Sequence, residues 1–377
     1  MNRMKKPNIT LLLAAATLIM SCEQVELEMP DDPNAPVALR LNSGIATVAA
    51  TTRAFDTQWE AADEIGVFTV EAGETDASKI TKSWEDYDQN VKYIVKTSDD
   101  YNTYDNTNPA NPTYTYRDFD AASSPIYLPA DGSNVDVYAY YPYISGTTAA
   151  AGTTLSLATE NTATTGIATQ TTTNQKKIDL MKASALSSSS AINRKNPGAA
   201  LKFEHCMSKI LIRLIIGTGY SKTDFENKVS VKITHQPYEA TFMPLAQTLT
   251  VTTATEDFIS IVPAKLESTD ADYMKSTETG YSNMLYCYRA LLFPNDSGDG
   301  AKNPVTTDAT RQILFTVDNN GHTSTYTHNI DDTYAANTQI IYTLTLGASG
   351  VSVTAAIQPW STSTTNPSDP LYEETGE

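Results

Sequence analysis

Apolar and polar residues alternate in short runs along most of the chain, and clusters of Gly, Pro, Asn, Asp and Ser separate the runs. Alternation sends successive side chains to opposite faces of an extended backbone, so each run predicts a strand with one buried face. The most concentrated run covers residues 201–217, LKFEHCMSKILIRLIIG. Its apolar residues first take odd positions (Leu201, Phe203, Met207). After Ser208 and Lys209 they take even ones (Ile210, Ile212, Leu214, Ile216). One inserted residue changes the phase of a strand in this way, so the pattern predicts a core strand with a bulge at the switch. Phe203, Met207, Ile210 and Leu214 also fall on one face of a helix. The isoleucines and the bounding Pro197-Gly198 and Gly217-x-Gly219 favour the strand.

Upstream, Val37, Leu39, Leu41 and Ile45 are spaced at even intervals and predict a first strand ending near residue 48. Residues 49–57 form a connector of mostly small or polar residues with one basic residue, Arg53. Further strands are expected at 65–70, 91–96, 126–128 and 135–141. Residues 99–119 have no period and read as a long loop, and the Thr/Ala/Gly-rich residues 146–173 read as a mobile insertion. Ser187 to Ser190 and then Asn196-Pro197-Gly198 mark the best domain boundary. Short strands continue to residue 330, with Asp318-Asn319-Asn320-Gly321 as a hairpin turn. Residues 339–346 and 351–357 close the pattern, and the polar, acidic residues 361–377 read as a disordered tail. Many short strands in two blocks predict an all-β protein of two tandem antiparallel β-sandwiches, at 37–198 and 199–360.

Composition narrows the function. The chain has 377 residues, enough for two domains of roughly 150 residues each. A formal net charge of -18 argues against nucleic acid, whose phosphates need a basic surface. At the N-terminus, Arg3, Lys5 and Lys6 precede an apolar stretch, residues 9–20, that is too short to span a bilayer as a helix. Residues 1–21 read as a lipoprotein signal peptide. Ile19-Met20-Ser21-Cys22 resembles a lipobox, in which the signal is cut before the cysteine and Cys22 takes acyl chains. Such a lipid would hold the mature chain to a membrane without a spanning helix. Residues 22–36 form an acidic, Pro-rich spacer, and Glu23, Glu26 and Glu28 resemble a surface-export signal. Cys206 and Cys287 remain as a pair or as two buried thiols; each lies in an apolar run, which favours thiols.

No constellation for catalysis emerges. The chain carries no Gly-x-Ser-x-Gly elbow, Cys-x-x-Cys pair or Walker loop. His205 reads as a structural histidine, and His322 and His328 have no third ligand at a diagnostic spacing, so neither metal nor cofactor is implied. About half of the tyrosines lie between Tyr87 and Tyr143. Tyr101, Tyr104, Tyr114 and Tyr116 fall in the aperiodic loop, where tyrosine offers large amphipathic contact area for a glycan or host ligand.

Five segments carry a resemblance. Phe203-x-His205-x-x-Ser208-Lys209-Ile210 resembles a segment of the fimbrillin-like proteins, the type V pilins of Bacteroidota. Trp59-x-x-x-Asp63-x-Ile65-Gly66-Val67-Phe68, Val135-Asp136-Val137-Tyr138-Ala139-Tyr140-Tyr141-Pro142-Tyr143, Asp179-Leu180-Met181-Lys182-Ala183, and Tyr342 to Trp360 are similar to others in the same order. The resemblance implies transthyretin-like sandwiches and a fimbrial subunit at the outer membrane, polymerising with copies of itself or with other subunits. It implies that an arginine-specific protease removes the first strand (Val37, Leu39, Leu41, Ile45). Arg53 is the candidate cut, since Arg40 lies within the strand. A C-terminal strand from another subunit would then fill the vacated place, and Val351, Val353, Ala355 and Ile357 make the candidate donor. If that hairpin instead completes its own domain, the chain accepts a strand without donating one, as a tip or accessory subunit.

Overall fold

The structure is a computed structural model that describes residues 35–45, 59–74, 90–96, 102–104, 114–157, 167–252, 258–270, 272–278, 280–294, 311–319, 322–330, 334–347 and 350–359. Among the described residues it is all-β apart from two short α-helices and one 3-10 turn, Tyr281–Asn283. The first strands are β1 (Arg40–Ile45), β2 (Glu64–Glu71), β3 (Val91–Val95), β4 (Asn102–Tyr104), β5 (Tyr114–Ala121) and β6 (Val135–Tyr141). Then come β7 (Thr153–Ser156), β8 (Ile167–Thr169), α1 (Thr172–Ile178), β9 (Met181–Ala185) and β10 (Gly198–His205). One sheet runs β1-β10-β9-β6-β2-β3-β5-β4, and β5 also pairs with β1. The sheet therefore closes into a ring with β4 as a side branch. Every ring pairing is antiparallel except that of β1 with β10.

The ring encloses a core that includes Leu39, Trp59, Ile65, Val137, Leu201 and Phe203. β2 and β6 are buried on both faces, because Phe68, Val70, Tyr138 and Tyr140 point away from this core into a second one. That is why their sequences are nearly continuous apolar runs rather than clean alternations. Gly66 lies on β2 because Tyr140 on β6 leaves no room for a Cβ there. The Tyr140 hydroxyl donates to Asn90 Oδ1 at 2.9 Å.

The expected bulge in residues 201–217 is a passage between two sheets. β10 ends at His205 and β11 (Ser208–Ile216) begins three residues later in a different sheet. Cys206 donates its N–H to Leu180 O on one side, and Met207 accepts from Asn337 N on the other. Both side chains are buried in the second core. A ladder irregularity does occur, but at Leu214/Ile215 against the strand paired with β11.

The remaining elements are α2 (Lys222–Phe225), β12 (Val229–Gln236), β13 (Glu239–Met243), β14 (Thr248–Val251), β15 (Ile259–Val262) and β16 (Ala264–Lys265). They continue with β17 (Met284–Leu292), β18 (Gln312–Asn319), β19 (His322–Asn329), β20 (Thr338–Gly347) and β21 (Gly350–Pro359). These build the sheets β16-β17-β11-β20-β21 and β19-β18-β12-β15-β8, and a small sheet β14-β13-β7. The sheets do not divide at residue 198: β10 follows it yet belongs to the ring, while β7 and β8 precede it and pair with β13 and β15. The described part of residues 146–173 is thus ordered, because Ala149, Leu155, Leu157 and Ala168 are buried in the second core.

Two glutamines tie this crossing segment down. Gln170 accepts from Leu291 N at 2.9 Å and donates to Leu291 O at 2.8 Å. Gln175 donates to Arg289 O and accepts from Arg289 Nε. The buried Gln170 amide stands in for a neighbouring strand at Leu291, beyond the two β17 residues that β16 pairs, and the buried Gln175 amide adds to the β16 pairing at Arg289. Residues 99–119 are not one loop: β4 and the first three residues of β5 pair antiparallel in register Asn102↔Tyr116, Thr103↔Thr115 and Tyr104↔Tyr114.

Candidate functional site

β1 closes the ring, and its neighbours show how it is held. On one side it runs parallel to β10 from Arg40↔Gly198 to Ile45↔Phe203. On the other it runs antiparallel to β5 through Leu41↔Phe119, Asn42↔Asp118 and Ser43↔Arg117. Leu39 donates its N–H to Ile126 O at 2.8 Å, and Leu128 donates to Val37 O at 2.9 Å. Leu39, Leu41 and Ser43 face the core and are 3, 3 and 0% exposed. Burying each leucine contributes about 1.5–3 kcal/mol. The alternation of residues 37–45 therefore sets the inward face, as the sequence predicts for Val37, Leu39 and Leu41; the side chain of Ile45 and the residues beyond it lie outside the described part.

Trp59 covers the far end of β1. Its indole Nε1 donates to Ser43 Oγ at 3.2 Å. Its ring meets Phe203, Phe119 and Tyr141 edge-on, at 4.9, 5.2 and 5.5 Å between centroids. A small residue at position 43 leaves the volume that this indole fills. Behind Trp59 the chain makes a tight turn in which Ala62 takes φ 70° and Asp63 accepts from Glu60 N at 2.7 Å. The Tyr141 hydroxyl reaches Asp63 at 3.4 Å, and Lys176 on α1 pairs with Glu60 at 2.7 Å. Burial pushes the Asp63 carboxyl up to about 6, against the backbone hydrogen bond that lowers it.

Four of the five segments singled out in the sequence converge here. Trp59 meets Phe203 edge-on, Asp63 meets Tyr141, and His205 Nδ1 lies 2.8 Å from Asp179, both fully buried. Asp136 accepts from Gly73 N and Ser187 N and so joins two turns. Sequence reasoning missed the Trp59–Ser43 contact and the parallel pairing of β1 with β10. The hint in the sequence is that Ser43 interrupts the alternation of Val37, Leu39, Leu41 and Ile45.

The other singled-out residues are placed as follows. The candidate donor, Val351, Val353, Ala355 and Ile357, lies on β21, which pairs with β20 over its whole length and forms the edge of its sheet. Tyr104, Tyr114 and Tyr116 are on the β4–β5 hairpin. Tyr101, Cys22 and Arg53 lie outside the described residues. Cys206 and Cys287 are free, buried thiols, and burial pushes each up to about 12. Cys206 lines a cavity of about 230 Å³ with Lys182, Gln247 and Pro294, but a thiol so reluctant to ionise is a poor nucleophile. Among the described residues no three His, Cys, Asp or Glu side chains are grouped to hold a metal ion.

Known proteins share this sequence and fold. A protein assigned as the fimbrium subunit Fim1C of Bacteroides uniformis is 26% identical over 359 residues, covering 95% of this chain and 96% of that one. A crystal structure of a protein assigned to cell adhesion from the same species superposes with a TM-score of 0.56 at 22% identity, covering 87% of this chain and 98% of that one. Another from Bacteroides ovatus gives 0.55 at 19% identity, covering 86% and 98%. Residues 52–360 match the family described as fimbrillin-like, and the chain belongs to that family.

Proposed function

We propose that this protein is a fimbrial subunit, exported as a lipoprotein through Cys22 and placed at the outer membrane or in the fimbrium, that assembles by strand exchange. The observation that carries the reading is the position of β1. It is a ring-closing strand whose inward side chains are buried, and residues 46–58 separate it in sequence from Trp59. Cutting after Arg53 would free β1 covalently while leaving Trp59 on the body. Loss of β1 would expose two unpaired edges, on β10 and β5, and an apolar slot between them. Unpaired edges and apolar slots recruit extended strands, with backbone hydrogen bonds giving affinity and alternate side chains giving register. The Fim1C relative, a fimbrium subunit by its name, supports assembly with like subunits.

The test uses the mature soluble chain and an arginine-specific protease, with the new N-terminus sequenced and the products run unboiled on a denaturing gel. The expected result is a chain beginning at Ala54 and a ladder of multimers. A clean cut without a ladder removes the donor half of the reading and leaves an accepting subunit. A chain that resists cutting removes the reading. Palmitate labelling that persists in Cys22→Ala would sink the proposed anchor.

A further inference from the structure

β19 is a long edge strand without the usual protection. It spans eight residues, HTSTYTHN, and pairs with β18 along its whole length without a bulge. Among the described residues no strand pairs with its other side. Exposed edges attract other strands, and natural sheets protect them by shortness, charge, proline or a bulge. At the opposite end of the same sheet, β8 is protected by being three residues long. β19 holds no Asp, Glu, Lys, Arg or Pro, in a chain that is 19% charged. Its outer face is a row of exposed threonines, Thr323, Thr325 and Thr327, a residue type that favours extended backbone. The alternate side chains turn towards the core: Tyr326 lies 6.2 Å from Phe315, and His328 5.6 Å from Tyr342, between ring centroids.

The strand is also matched to itself. Around Thr325 the residue types recur symmetrically, with Thr at 323 and 327 and His at 322 and 328. Two antiparallel copies related by a two-fold axis set each residue against its mirror position, so a symmetric sequence meets its own complement. We propose that two copies of this chain associate side by side through β19, antiparallel, with the two-fold axis at Thr325. Thr325 then faces its own counterpart, Thr323 faces Thr327 of the second copy, and Ser324 faces Tyr326 of the second copy. Opposed threonines make favourable cross-strand pairs, and a small serine leaves room where the large tyrosine arrives. With the axis at Tyr326 instead, Thr323 would face Asn329, a residue type that disfavours strands. Each copy carries a formal charge of -18, so two copies approach best along a strand without carboxylates. The pairing joins two five-stranded sheets into one of ten strands. A single ladder is small beside the roughly 1,200–2,000 Å² buried in stable complexes, so one pair of copies binds weakly. A fimbrium that repeats the subunit repeats the edge, and contacts too weak singly hold when many act together. That last step rests on the fimbrial reading, whereas the pairing itself does not.

The test uses the mature chain with Cys22→Ser, left uncut so that β1 stays covalently attached and strand exchange does not enter. Sedimentation equilibrium up to about 1 mM chain, where even a millimolar contact shows, is expected to reveal a reversible dimer. Thr325→Lys sets two like charges about 5 Å apart across the axis and should weaken that dimer at least about tenfold. Its thermal melt should match that of the parent, since residue 325 is exposed. Thr325→Val, uncharged and strand-favouring, should keep the dimer. Disulfides then read the register, because opposed side chains in an antiparallel pair lie within disulfide reach. Thr325→Cys should cross-link to itself on oxidation, whereas Thr323→Cys and Thr327→Cys should cross-link only when mixed. The native thiols at 206 and 287 are buried and slow to ionise, so they do not compete. No dimer at about 1 mM, or a dimer that Thr325→Lys leaves intact, overturns the proposal. So does loss of the dimer in Thr325→Val as in Thr325→Lys, which would trace the effect to something other than charge across the axis. Thr325→Cys that pairs with Thr327→Cys in preference to itself overturns the register. None of these outcomes bears on strand exchange, which the protease experiment tests separately.

Discussion

At the scale of single residues, two positions around Trp59 and Tyr140 carry measurable consequences. A Cβ at Gly66 would collide with the Tyr140 ring and with Asn90 Oδ1, which that tyrosine's hydroxyl holds. Gly66→Ala should therefore destabilise the protein by about 1–3 kcal/mol in urea unfolding. A smaller loss would mean that Tyr140 moves aside at little cost. Asp63 sets a pH dependence of definite sign. Its folded-state carboxyl sits at about 6, above the ordinary 3.8, so its contribution is fully present below pH 3.8 and is lost as pH rises through 6. The shift of about two units corresponds to at most about 3 kcal/mol, reduced by the partial exposure of the group. Asp63→Asn keeps one acceptor oxygen for the Glu60 N–H and cannot ionise. The stability of this variant relative to the parent should climb between pH 4 and 7 in thermal melts at fixed salt. A difference that stays flat across that range would show that Asp63 ionises freely in the folded protein.

Elements in the C-terminal half are pinned by buried charge as well as by strand pairing. Lys209 on β11 and Arg289 on β17 share Asp272, at 2.9 Å from each cation, and Arg289 also reaches Asp270 at 3.0 Å. These cations are 3 and 4% exposed in their side chains. The loop carrying Asp270 and Asp272 is thereby clamped over two neighbouring strands, and the Gln175 amide joins the same guanidinium to α1. Removing a shared carboxylate from buried cations costs far more than removing a surface pair. Asp272→Ala should lower stability by about 3–5 kcal/mol, whereas Lys96→Ala, which breaks the exposed pair with Asp120, should change it by less than about 1 kcal/mol. Equal effects in chemical denaturation would contradict the clamp.

For the whole molecule, the sequence by itself determined the strands and their inward faces. Alternation at Leu39 and Leu41, at Ile210 to Ile216 and along residues 229–262 survives into the structure because a pleated backbone leaves no other way to bury those side chains. The segments that carry the resemblance, at Trp59 and Asp63, Tyr141, Asp179, Phe203 and His205, meet in space, and only the tertiary structure shows that they do. The meaning of the phase switch at Cys206 and Met207 was not legible: a bulge and a change of sheet both exchange inside for outside, so the pattern is the same. Residues 146–173 looked too poor in apolar side chains to order themselves. Their short strands are held by β13, β15 and the backbone of β17, partners that lie far along the chain. Which strand closes the ring was likewise decided only in three dimensions. β1 pairs in parallel with β10, which lies more than 150 residues away in sequence, and no local pattern encodes a partner at that distance. Periodicity reports which face a residue buries, a local matter of backbone geometry; the neighbour that buries it is chosen by packing across the whole chain.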